Sequence, residues 1–180
     1  MKWVTRNYVH LDRVACPWLI TRFVDEGASF LFVPWDRQQE YPKDAIPFGI
    51  TGVELGPHDA EGTTFDKILK KYSLVDTALE EIAKIIRGGV NYTLHQYRPP
   101  ADDRYGQMAV GILAVSEGMM LRCATDDEIL ERSFPLYDAL YANFKAHATL
   151  AERGLTPPKA TPATGPGPKT EFLRGLLKGG

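Results

Sequence analysis

The segment His10-x-Asp12-Arg13-x-x-Cys16-Pro17-Trp18 puts an imidazole, a carboxylate, a guanidinium and a thiol in one short stretch. Proline suits the first position of a helix, because its missing N–H would find no intrahelical partner there. If Pro17 opens a helix, Cys16 is its N-cap, where the helix dipole and the nearby Arg13 favour a thiolate. That arrangement suits a nucleophile or a thiol reductant, with Cys16 and Arg13 as catalytic candidates. The competing reading of Cys16 is a small buried hydrophobe, the usual condition of a free cysteine.

Glu54-Leu55-Gly56-Pro57-His58-Asp59 offers oxygen and nitrogen donors suited to Zn²⁺, Mn²⁺ or Fe²⁺. Gly56 and Pro57 would set these donors on a turn after a short strand, a common place for binding groups. The E-x-x-x-H spacing alone fits a solvated loop as well. Glu117 stands among Val110, Leu113, Ala114, Val115 and Met120 in the most apolar helical stretch. A carboxylate there needs a cation, so the pattern predicts a buried Glu117 meeting Arg13, Arg22 or a metal. His95 and Arg98 belong to a segment rich in stacking groups, Tyr92 to Arg98, and could line a pocket. Asp66 fits helix capping, and His147 an exposed helix face. G-x-S-x-G, G-x-G-x-x-G, P-loop and H-E-x-x-H motifs do not occur, so the common hydrolase, dinucleotide, NTPase and zincin readings lack their anchor.

Periodicity and turn signals predict the elements that position these groups. Lys2–Thr5 reads as a strand, followed by a helix from Pro17 that buries Trp18, Leu19, Ile20, Phe23 and Val24 and stops at Gly27. Phe30–Val33, ended by Pro34, is a second strand, so strand, helix and strand predict a parallel pair. Val53–Leu55 is the expected third strand. Thr63-Thr64-Phe65-Asp66 reads as a capping box. Asp76 caps a further helix that Gly88-Gly89 would end. Residues 90–106, with Pro99-Pro100, read as a long loop. Met108–Leu121 and a segment opened by Thr125 are the last helices of the domain. The expected fold class is α+β: a small mixed sheet of about three short strands with a β-α-β start, packed with about five helices.

The chain of 180 residues is 44% hydrophobic with a net charge of −2, as in an ordinary soluble domain. Between Gly154 and Pro168, eight of fifteen residues are Pro or Gly, too many to build a core. The expected organisation is therefore a domain over 1–153, a linker over 154–169 and an amphipathic tail over 170–180. In the tail, Phe172, Leu173, Leu176 and Leu177 share one helical stripe. Residues 1–150 hold 16 Lys and Arg against 21 Asp and Glu, whereas residues 151–180 hold 5 against 2. An acidic body argues against nucleic acid as a partner. No apolar run of about 18 residues occurs, which argues against a membrane span. No signal-like apolar region opens the chain, and the two cysteines make no disulfide framework. Cytoplasmic location is the resulting expectation.

These segments together resemble the chromate-resistance protein B family in a short form without an N-terminal regulatory domain. The resemblance rests on K-W-V-T-R (Lys2 to Arg6), H-x-D-R-V-A-C-P-W-L-I (His10 to Ile20) and R-F-V-D (Arg22 to Asp25). It continues in F-L-F-V-P (Phe30 to Pro34), P-F-x-x-x-G-V-E-L-G-x-H-D (Pro47 to Asp59), T-F-D (Thr64 to Asp66) and F-P-L-Y-D-A-L-Y-A (Phe134 to Ala142). It implies a link to chromate resistance, through chromate-responsive regulation or manganese-linked reduction. Three departures limit what carries over. Pro57 replaces the first of two adjacent histidines, Thr63 replaces a cysteine, and Asn91 to Gly106 diverges from a usually shorter connection.

Two functions follow as expectations. The first is a metal-dependent redox enzyme acting on chromate or another small oxyanion or small molecule. Its metal, Mn or Fe with Zn as the alternative, would be held by Glu54, His58 and Glu117 with His10 or Asp12. Arg13 and Arg22 would fork onto the oxyanion, His95 and Arg98 would line its pocket, and Cys16 would supply a thiol. The second is a non-catalytic metal or oxyanion sensor that reaches a protein partner through residues 170–180.

Overall fold

The computed structural model describes residues 1–178. Lys2–Arg6 (β1) is the centre of a three-stranded sheet in the order β2-β1-β3, with Ser29–Val33 as β2 and Ile46–Pro47 as β3. Both pairings are parallel, Trp3 lying opposite Phe30 on one side and Ile46 on the other. The sheet is thus parallel rather than mixed, and the third strand precedes the expected Val53–Leu55. Pro47 has no N–H to extend a ladder, so β3 stays short and at the edge. Leu55 instead makes a single parallel bridge to Phe48.

Side chains of β1 alternate between faces. Trp3 enters the main core with Trp18, Phe48, Phe65 and the helices, while Val4 packs with Val33, Ala45 and Ile50 in a smaller cluster. The β1–β2 crossover contains Asp12–Leu19 (α1) and a π-helical turn, Ile20–Val24. The helix therefore begins ahead of Pro17 and ends before Gly27. Leu11, at φ 46, turns the chain sharply into it. Proline inside a helix removes one hydrogen bond, and here the widened π turn follows at once.

Three helix starts match their sequence signals. Thr63 and Asp66 form a reciprocal capping box on Thr64–Lys71 (α2). Asp76 caps Thr77–Leu94 (α3), and Thr125 caps Asp126–Arg153 (α5). Between the last two lies Arg104–Arg122 (α4). Gly88 and Gly89 do not end α3, which runs on to Leu94, so the connection to α4 is shorter than the expected loop. Gly154, in the left-handed conformation, closes α5. Gly167–Lys178 (α6) lies back against α5 with Phe172, Leu173 and Leu176 half-buried. Gly179 and Gly180, the end of the expected tail, lie outside the described residues. Among the described residues no helix is long and apolar enough to cross a membrane.

Candidate functional site

All three strands end at one cleft. Arg6 is the last residue of β1, Trp35 follows β2 after Pro34, and Gly49 follows β3 after Phe48. The carboxyl ends of parallel strands are the usual place for ligand sites in such sheets. The cleft, of about 120 Å³, is completed by the β1–α1 turn, by Pro57 and His58, and by Val90, Thr93 and Leu94 from the end of α3.

The turn from Asn7 to Leu11 is held from outside itself. Tyr8 and Leu11 adopt positive φ, 55° and 46°, unusual for residues with side chains. The carboxylate of Asp126 accepts from the amides of Tyr8 at 3.1 Å and Val9 at 2.7 Å. Leu11 N–H donates to Ser116 Oγ at 2.8 Å, and the Tyr137 hydroxyl donates to the Leu11 carbonyl at 3.3 Å. Such strain persists where surrounding structure over-determines it, often at binding sites.

Two guanidinium groups lie against the one Trp35 ring. The Arg6 and Arg13 Cζ atoms lie 3.8 and 4.9 Å from the Trp35 ring centroid. Arg13, buried, spends its terminal nitrogens on the carbonyls of Arg6, Asn7 and Tyr8 at 2.8, 2.9 and 3.0 Å. Among the described residues neither arginine forms an ion pair. Burial, with the neighbouring Arg6 adding to it, pushes Arg13 down to about 10. Burial also lowers His10, and the charge of Arg13 adds to that effect. Arg6 Nε and His58 Nδ1, in two residues that line this cleft, are buried without a hydrogen-bond partner among the described residues. The His58 ring meets His95 edge-on, 5.6 Å between centroids.

The structure brings His10, Asp12, Arg13 and His58 to one cavity, sets His95 against His58, and scatters the other candidates. Asp12 is committed elsewhere: its oxygens accept from the Thr64 and Phe65 amides, each at 3.1 Å, and from the Cys16 thiol at 3.3 Å. It thus caps α2 from a neighbouring helix, and desolvation raises its carboxyl. Cys16 lies inside α1, fully buried, with burial and the adjacent Asp12 holding its thiol well above the ordinary range. The expected N-cap thiolate is corrected accordingly. Glu54 is exposed and paired with Lys71 at 2.5 Å. Glu117 is exposed too, because α4 turns Ala114 and Val115 as well as Glu117 toward solvent. Arg22 forks onto Asp138 at 3.0 and 2.9 Å, next to the Trp18 indole, and does not line the cleft. Arg98 stacks on Tyr92 at 4.0 Å. Among the described residues no three His, Cys, Asp or Glu side chains converge. The expected metal shell of Glu54, His58 and Glu117 with His10 or Asp12 does not come together there, and His95, expected to line the pocket, lies against His58 instead.

Sequence reasoning missed Arg6, Trp35 and Gly49 as site residues. Each lies at the carboxyl end of a strand or within two residues of it, and that position is the available signal.

Residues 3–144 match the family described as ChrB, C-terminal domain. Protein ChrB of Cupriavidus metallidurans is 32% identical over 146 residues, which cover 81% of this chain and 41% of that protein. The chain thus spans less than half the length of this curated relative. No solved structure matches it. The strand-end arginine and the block from His10 to Ile20 both fall within the matched residues, and the chain belongs to the ChrB C-terminal domain family.

Proposed function

We propose that this domain binds a small anion in the cleft between Arg6, Arg13, His10 and His58, with binding rather than turnover as its output. One observation carries the reading: two guanidinium groups stack on Trp35 with no carboxylate partner among the described residues. Like charges held together in a desolvated site favour an anion between or beside them. Beside the same space, Arg6 Nε and His58 Nδ1 are buried polar atoms with no hydrogen-bond partner among the described residues. The family's link to chromate makes a tetrahedral oxyanion the first inorganic candidate. A sensing role is favoured over reduction because Cys16, the proposed reductant, is sealed in the core.

The test is calorimetric titration of the full chain with sulfate and molybdate, tetrahedral dianions that do not oxidise the protein. Saturable binding that weakens at least tenfold in Arg6→Gln, with the melting temperature unchanged, is the expected result. Equal binding by the variant would overturn the site.

A second reading, a divalent metal such as Mn²⁺, Fe²⁺ or Zn²⁺, is supported by the unpartnered His58 Nδ1 and the adjacent His95 ring. Elemental analysis of the purified protein, with His58→Ala as control, decides it.

A further inference from the structure

The cleft's walls differ in kind. The sheet side presents Arg6, Arg13 and Trp35, whereas α3 presents Val90 and Leu94, one helical turn apart, beside Leu11. The hydroxyls on the α3 side are already used: Thr93 Oγ1 donates to the Gly89 carbonyl at 2.9 Å, and Thr64 Oγ1 to the Gly56 carbonyl at 3.0 Å. Leu94 is 63% exposed and Trp35 48% exposed, although both line a concavity. A bare oxyanion would satisfy the cationic wall and leave these apolar surfaces wet. Ligand sites typically combine such apolar walls with few polar anchors.

Resting on the anion reading, we infer that the ligand is a small organic anion: a carboxylate or phosphate head on an apolar body. The head lies at Arg6 and His58 in the field of Arg13, whose terminal nitrogens stay on backbone carbonyls, and the body lies against Leu11, Val90 and Leu94. Size limits the body. The cavity is about 120 Å³, and an apolar cavity of about 150 Å³ holds one benzene ring. The body is therefore no larger than a single aromatic ring or a short branched chain. Gly49, at the charged end, leaves room for the Arg13 side chain. A Cβ there would sit 3.2 Å from Thr5 Oγ1 and 3.3 Å from Arg13 Cγ, at a φ of +61° that disfavours side chains anyway.

Calorimetric titration of the full chain with acetate, inorganic phosphate, benzoate, phenyl phosphate and neutral benzamide tests this. Benzoate and phenyl phosphate are expected to bind at least tenfold more tightly than acetate and phosphate, and benzamide not measurably. Leu94→Ser, a change at an exposed position, should erase most of that preference, read as the ratio of phenyl phosphate to phosphate affinity. Equal affinity for bare and ring-bearing anions would overturn the inference while leaving the anion site intact. So would a preference that Leu94→Ser does not reduce. Failure of every anion to bind would instead remove the anion reading itself.

Discussion

Leu11 occupies the space that a side chain on Gly89 would need: a Cβ at Gly89 would lie 2.6 Å from Leu11 Cδ2. The glycine in the middle of α3 therefore serves the strained turn that enters α1. Gly89→Val is expected to lower stability by about 1–3 kcal/mol through overpacking. Gly111, in α4, has nothing within 4 Å of an added Cβ, so Gly111→Ala should raise stability by up to about 1 kcal/mol. Paired urea melts check both signs.

Lys67 holds the loop that carries His58. Its Nζ, buried, donates to the Pro57 carbonyl at 2.9 Å and to Asp59 Oδ2 at 2.6 Å, on either side of His58. Lys67→Met removes both bonds and should cost about 1–3 kcal/mol. Sulfate affinity should fall several-fold with it. Lost stability with unchanged affinity would show that His58 does not depend on this anchor.

Asp138 predicts a pH dependence. Its hydrogen bonds to Arg22, aided by the Trp18 indole, hold the carboxyl below its ordinary 3.8 against the opposing effect of burial. A lowered carboxylate stabilises the fold above its unfolded value, and that contribution disappears as pH falls through the folded one. The pair is 42% and 41% exposed, so screening keeps the effect of Asp138→Asn below about 1 kcal/mol at neutral pH. The difference in urea midpoint between wild type and variant should shrink as pH drops below about 4.

The two thiols should differ in reactivity. Cys16 is buried and its thiol is raised, whereas Cys123 is half-buried at the end of α4. An aromatic disulfide reagent at pH 8 should titrate one thiol in the native protein and both in guanidinium chloride. Rapid modification of Cys16 in the native state would restore the thiol chemistry that its burial argues against.

What was legible in the sequence was local. The capping box of Thr63 and Asp66 spans three positions, so its residue types suffice to mark a helix start. β1 and β2 show as short β-branched and aromatic runs. Gly88-Gly89 read as a stop because the need for glycine comes from Leu11 and from Ala109, both distant in the chain. The apolar neighbours of Glu117 predict a buried face, yet α4 leaves Val115 42% exposed. Within the site, His10, Asp12, Arg13 and His58 could be named from type and spacing. Arg6, Trp35 and Gly49 could not, since only the parallel sheet makes neighbours of three strand ends.

The turn that shapes the cleft is clasped by groups very far along the chain. Tyr8 and Val9 wait for Asp126, and Leu11 waits for Ser116 and Tyr137, separations of 105 to 126 positions. Contacts of such long range form late and slowly, because their loop-closure entropy must be met first. A nascent or refolding chain can therefore complete its sheet before it has a working cleft. Affinity for the proposed anion should then serve as a readout of finished folding, absent wherever the last long helix has not docked.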